Sequence, residues 1–218
     1  SLTEARLAGN HRLIGFSIYR LGSMAFNQGD HKEAGKLIKE SVEIFRNVGD
    51  LTSWGFALNL LGIMNAQHGD WMSAQGYYEE ALALAEEAHD RSNTSCYLMN
   101  LGNLALGLGD TDRAFLLLDQ ACKLVQNTPD DDFLGGTLGA LGEVARFQGN
   151  FDQAAAYYRE SLVLPQLDKD KIPSYCGLAD VKRLQGQVAE AKQLLLNALN
   201  LLSNEYARNI YTGDVIPV

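Results

Sequence analysis

His11, His31, His68 and His89, with Cys96, Cys122 and Cys176, are the side chains here best suited to ligate a metal or attack an electrophile. Their spacing argues against both roles. No histidine has a cysteine or a second histidine at the short intervals that tetrahedral zinc sites use. The three cysteines form no short ligand pair, and their odd count points to buried thiols in a reducing, cytoplasmic compartment. No glycine-rich phosphate loop carrying a lysine is present, and no serine sits on a nucleophile elbow. The acidic pairs Glu79-Glu80 and Glu86-Glu87 read as solvated helix faces. The run Asp130-Asp131-Asp132 reads as the acidic start of a helix after the turn Thr128-Pro129 rather than as a cation site. The expectation is therefore no enzyme, no cofactor and no metal.

Charge and hydropathy narrow the partners further. The net charge is −9, from 27 acidic and 18 basic residues, so the average field repels a phosphate backbone and direct nucleic-acid binding is not expected. No run of 18 apolar residues occurs, which gives no reason to place the chain in a membrane. Apolar residues make up 46%, enough for a core. Only Pro129 precedes residue 165, which suits long helices.

The elements that must position any site are set by a repeat. Leu21-Gly22, Leu61-Gly62, Leu101-Gly102 and Leu141-Gly142 recur every 40 residues. Each is followed by a second mark, Gly29-Asp30, Gly69-Asp70, Gly109-Asp110 and Gly149-Asn150. Leu178-Ala179 with Gly186-Gln187 is a fifth, weaker copy. A fixed interval of this size is the mark of one supersecondary unit stacked many times, a solenoid.

Residues 51–90 show the unit. Phe56, Ala57, Leu60, Leu61 and Met64 recur at helical spacing and predict a first helix, A. Gly69 supplies a left-handed stop and Asp70 a cap for helix B, whose apolar stripe is Ala74, Tyr77, Tyr78, Ala81, Leu82 and Leu84. Asp90 closes the unit, with Ser92 or Asn93 available to cap the next helix A. Asp30 with Glu33, and Asn150 with Gln153, have capping-box spacing. Small residues hold two fixed places: Gly22, Gly62, Gly102, Gly142 and Ala179 in helix A, and Ala34, Ala74, Ala114, Ala154 and Ala191 in helix B. They predict a close A–B crossing.

Leu61-Gly62, Ala74, Tyr78 and Ala81 together carry the pattern of the tetratricopeptide repeat, and the chain resembles that family along almost its whole length. The usual unit has about 34 residues. This longer form is similar to the C-terminal sensor arrays of bacterial MalT-like and LuxR-type signal-transduction ATPases, on the strength of Asn59-Leu60-Leu61-Gly62, Asn100-Leu101-Gly102-Asn103 and the stretch Tyr77 to Glu87. Adaptors of the LGN/Pins type carry similar units. The resemblance implies an all-α, right-handed α-solenoid of helix-turn-helix repeats at 11–50, 51–90, 91–130, 131–170 and 171–202. Residues 1–10 align with the end of a preceding repeat, so the chain is expected to be a fragment of a longer multidomain protein. The spacing Asp170 to Leu178, with Pro173 placed in a first helical turn, predicts a shortened helix A in repeat five. Residues 203–218 are a tail or cap, through a short separate helix or the start of a sixth unit.

The same resemblance places the binding surface on the A helices, at the second, fifth, ninth, twelfth and thirteenth positions of each unit. The candidates are Tyr19, Phe56, Asn59, Met99, Asn103, Gly139, Glu143, Arg146, Phe147 and Arg183, with the strongest expectation on repeats three to five. Arg146 and Arg183 share the twelfth position and could clamp one anion, or each could pair with Glu143 or Asp180 three residues earlier. Gly136 and Gly139 have no counterpart in other repeats and suggest a deepened pocket, or drift in a surface-facing helix. Arg146→Glu with Arg183→Glu is expected to abolish capture of the partner and leave the melting temperature almost unchanged, with Glu80→Arg and Glu87→Arg on the opposite face as control. The function expected is a non-catalytic sensing module of a larger signalling or transcriptional regulator, acting on a protein, a peptide or a small effector. A free-standing peptide-binding adaptor is the alternative.

Overall fold

The computed structural model describes residues 10–126, 133–164 and 167–212. These form ten α-helices and no strand. They are α1 (His11–Asn27), α2 (His31–Val48), α3 (Leu51–Gln67), α4 (Trp71–Glu87), α5 (Arg91–Gly107), α6 (Thr111–Val125), α7 (Leu134–Phe147), α8 (Phe151–Val163), α9 (Asp168–Leu184) and α10 (Val188–Thr212). Odd numbers are A helices and even numbers B helices, so the expected all-α repeat architecture is what the chain adopts. It divides into two compact units, one ending at Leu104 and the other beginning at Ala105.

Turn chemistry sets the helix boundaries. Gly29, Gly69, Gly109, Gly149 and Gly186 all take positive φ between A and B, where a β-carbon would be strained. Asp30, Asp70 and Asp110 then accept the backbone N–H three residues on, at 3.0–3.1 Å, satisfying one orphan donor of each B helix. Two expectations are corrected here. Asn150 makes no side-chain cap bond. The cap of α5 is Asp90, which accepts from Asn93 N at 3.1 Å, rather than Ser92 or Asn93. Between B and A, Gly49 has φ 68°, and His89 at the same register has φ 54°.

In the first unit the core joins Ala34, Ile38, Val42 and Phe45 of α2 to Ala57, Leu58 and Leu61 of α3, with Ala81 of α4 and Tyr97 of α5. The helices meet at the small residues. A β-carbon on Gly22 would stand 2.6 Å from Ile38 Cδ1, and one on Gly62 only 2.4 Å from the Tyr78 ring. In the second unit one core cluster joins Ala145 of α7 to Ala154, Ala155 and Tyr158 of α8 and Leu178 and Val181 of α9. There Tyr158 is gripped from two sides, since β-carbons on Gly142 of α7 and Gly177 of α9 would approach its ring to 2.6 and 2.4 Å.

The irregular fifth repeat differs from expectation. Its helix A, α9, has the full 17 residues, and Pro173 lies inside it rather than in its first turn. The shortening falls on α8, the preceding B helix, which has 13 residues. The cause is Pro165. The residue before a proline is driven from the helical region, and Leu164 is extended at φ −72°, ψ 150°. There is likewise no separate capping helix at 203–212, because α10 runs unbroken for 25 residues to Thr212. Residues 1–9, Thr128-Pro129, Asp130–Asp132 and 213–218 lie outside the described residues.

Candidate functional site

In the first unit, α1, α3 and α5 carry Tyr19, Phe56, Asn59, Met99 and Asn103, the residues that the family resemblance assigns to binding. Phe16 and Phe56 hold the same register on successive A helices and are 46% and 38% exposed. Burying apolar aromatics of this size stabilises a fold, and here two stay partly open at one register. Tyr19 lies one turn from Phe16, their ring centroids 6.4 Å apart, and burial pushes its hydroxyl pKa up. Next come Asn59, Met99 and Asn103 of the candidate set. Asn59 Oδ1 accepts a 2.7 Å hydrogen bond from Asn100 Nδ2, which bridges α3 and α5. Met99 is half-buried and Asn103 exposed.

Sequence reasoning overlooked Asn100 and the cavity beside it. Ala66, Trp71, Tyr78, Asn100, Asn103 and Leu104 enclose an open space of about 160 Å³. Burial raises the Tyr78 hydroxyl to about 12, so it stays protonated and neutral. A trace of this cavity was legible in the sequence. The twelfth position reads Phe26, Ala66, Leu106, Arg146 and Arg183, and only Ala66 is small.

In the second unit, Glu143, Arg146 and Arg183 come together with Asp180 and Tyr158. Tyr158 donates its hydroxyl to Glu143 Oε1 at 2.8 Å. Arg146 donates Nε and Nη2 to Glu143 Oε2 at 3.1 and 2.7 Å, and Nη1 to Asp180 Oδ2 at 3.2 Å. Arg183 donates Nε and Nη2 to Asp180 Oδ1 at 3.1 and 2.6 Å. The four charges alternate in sign and cancel. The pairing alternative for the two arginines is therefore the one the molecule adopts, and each guanidinium already faces a carboxylate rather than an open anion site. Hydrogen bonding by Glu143 pushes the Arg146 pKa further up, so it stays charged. One expectation changes with this: reversing both arginines would place new carboxylates beside Glu143 and Asp180, so stability must fall. Phe147 is 63% exposed, with the Arg146 guanidinium 4.8 Å from its ring centroid.

Gly139 serves packing. A β-carbon there would stand 2.8 Å from Ser174 Oγ, and that hydroxyl is 2.8 Å from Ser161 Oγ in a buried pair. The space a side chain would need at Gly139 is taken by Ser174 of α9.

The histidines show one unforeseen contact. His31 and His68, 37 positions apart, meet edge to face at 4.9 Å, and Phe26 packs on His31 at 5.6 Å. His68 Nδ1 lies 2.7 Å from the Met64 carbonyl oxygen. The described residues contain no group of three metal-ligating side chains, and none of their helices is long and apolar enough to cross a membrane.

Comparison with known proteins fits this geometry. The family model for the tetratricopeptide repeat matches residues 16–87, 55–127 and 94–164. The chain belongs to the tetratricopeptide repeat family, and the match indicates no catalytic family. Among solved structures, BtubC (BKLC) from P. vanneervenii is similar with a TM-score of 0.75 and 18% identity, over 94% of this chain and 88% of that one. The repeats of a putative kinesin light chain from Podosopora anserina give 0.64 and 17%, over 90% and 98%. The Cut9–Hcn1 structure of the APC/C gives 0.71 and 20%, over 93% and 37%. At these identities the likeness is one of fold. No curated protein matches the sequence.

Proposed function

We propose that the chain is a non-catalytic binding module that presents its A-helix faces to a protein or peptide. The observation that carries this reading is the first unit's surface of Phe16, Tyr19, Phe56, Asn59 and Met99, with two phenylalanines exposed in register. Apolar walls beside a few fixed polar groups are what an extended peptide requires. The Asn59 amide, its Oδ1 engaged by Asn100, keeps its Nδ2 donors for the carbonyls of a peptide backbone. In the second unit Phe147, Glu143, Arg146 and Arg183 offer an aromatic beside a neutralised charge network.

The likeness to MalT-like sensor arrays supports a place in a larger bacterial regulator, where binding would control a neighbouring ATPase or output domain. Cys96 and Cys122 are half-buried and Cys176 is exposed, not buried as their odd count suggests, and as free thiols all three suit a cytoplasmic setting. A second reading, an adaptor that holds other proteins together, draws support from the fold shared with Cut9–Hcn1, which is a hetero-tetramer. The full reading frame separates the two, because an adjoining nucleotide-binding domain belongs only to the regulator.

Selection of a random peptide display library on the purified chain tests the binding face. Selected peptides should lose at least about tenfold in affinity with Phe16→Ala plus Phe56→Ala, some 1.4 kcal/mol, and keep it with Glu87→Arg. Glu87 is a cleaner control than Glu80, which lies 3.9 Å from Arg46 and would disturb that pair. Binders lost only with Glu87→Arg would move the working surface to the B helices.

A further inference from the structure

We propose that the cavity of the first unit, between Ala66, Trp71, Tyr78, Asn100 and Asn103, is an anchoring pocket for an arginine side chain of the bound peptide or protein. The proposal rests on the reading that the A-helix face binds such a partner, and adds the chemistry of one anchor.

The chain supplies its own precedent. By register, Ala66, Tyr78 and Asn103 of the first unit correspond to Arg146, Tyr158 and Asp180 of the second. There the corner holds an arginine, its side chain 25% exposed and its guanidinium 3.2 Å from Asp180. Nearer the N-terminus, the equivalent place holds Phe26, packed on the core. Only at Ala66 does the helix pair carry no large side chain of its own, and there a space of about 160 Å³ remains. Pockets for whole small molecules run to about 300–1,000 Å³, so this one suits the end of a side chain rather than a free effector.

The lining selects among side chains. Trp71, 42% exposed, offers a ring face on which a guanidinium stacks. Asn100 has Nδ2 engaged by Asn59, so the capacity it offers is chiefly that of Oδ1, an acceptor. Asn103 adds a second carbonyl. Guanidinium carries five donors in one plane and can stack and donate together, whereas an ammonium cannot. No cationic residue lines the cavity to draw a carboxylate. The net charge of −9 favours approach by a basic segment.

The test uses three blocked tripeptides, Gly-Arg-Gly, Gly-Lys-Gly and Gly-Leu-Gly, titrated into the isotope-labelled chain. The Trp71 indole N–H and the side-chain amides of Asn100 and Asn103 are followed by NMR, with the Trp54 indole N–H, whose nitrogen is buried, as internal reference. The arginine peptide should give saturable shifts at these groups and none at Trp54. The lysine peptide should bind several-fold more weakly, and the leucine peptide should leave the signals in place. Ala66→Arg with Asn103→Asp, which installs the second unit's own pair, should weaken the response at least about tenfold with the melting temperature held. Asn103→Leu, which removes an acceptor without filling the space, should weaken it by a smaller factor. Equal shifts with the leucine peptide, no saturable shift with arginine, or an undiminished response in both variants would overturn the proposal. Face-dependent binders from the display selection that lack arginine would overturn the pocket and leave partner binding intact.

Discussion

The corner around Tyr78 in the first unit and the corner around Tyr158 in the second are built from the same repeat and treat solvent differently. Both tyrosines pack against a glycine of their own A helix, Gly62 and Gly142. At Tyr158 the chain adds Gly177, which admits the ring more deeply, and Arg146 with Asp180, which close the corner by ion pairing. At Tyr78 the equivalents are Asn100, Ala66 and Asn103, and a cavity stays open. Three substitutions on one backbone separate a corner that satisfies itself from one that offers its groups outward.

The glycine shared by both corners gives the largest expected effect. Gly62→Leu drives a side chain into the Tyr78 ring, where even a β-carbon would stand at 2.4 Å. Overpacking of this kind costs about 1–3 kcal/mol or more, while Lys32→Ala on an exposed face should leave the urea midpoint in place. Equal midpoints would show that the close A–B crossing does not define the repeat.

Next in size is the charge network that closes the second corner. Arg146→Glu with Arg183→Glu removes both cations and sets like charges beside Glu143 and Asp180. A loss of about 1–3 kcal/mol is expected, discounted for partial exposure, and high salt should lessen it. Unchanged stability in low and high salt would mean that the second corner is held by apolar packing alone.

A smaller effect separates the caps just before each corner. Asp70 accepts the Ser73 N–H at 3.1 Å, whereas Asn150 makes no side-chain cap bond. Asp70→Ala should therefore lower the thermal midpoint more than Asn150→Ala. Hydrogen bonds from Ser73 hold the Asp70 carboxyl below its ordinary pKa. A depressed folded pKa stabilises above the unfolded value, and that part is lost as pH falls through the folded one. The gap between the variants should thus close in acid. A gap that persists there would assign the effect to helix propensity instead of the carboxylate.

The sequence by itself determined the all-helical repeat, its register and most helix boundaries, because these rest on local chemistry. Glycines that accept positive φ, aspartates that cap, and small residues at a fixed crossing act over a few positions and repeat every 40. Leu164 before Pro165 obeys a local rule as well, and it shortens α8 rather than α9. The tertiary structure decided what is read across helices. It chose the Glu143–Arg146–Asp180–Arg183 network over an anion clamp, because residues 34 positions apart met within hydrogen-bond distance. It turned Gly139 into a packing contact with Ser174, joined Asn59 to Asn100, and opened a cavity at Ala66. Side-chain neighbours on separate helices depend on how those helices cross, and repeat spacing gives the order of the helices but not the distance between two side-chain ends.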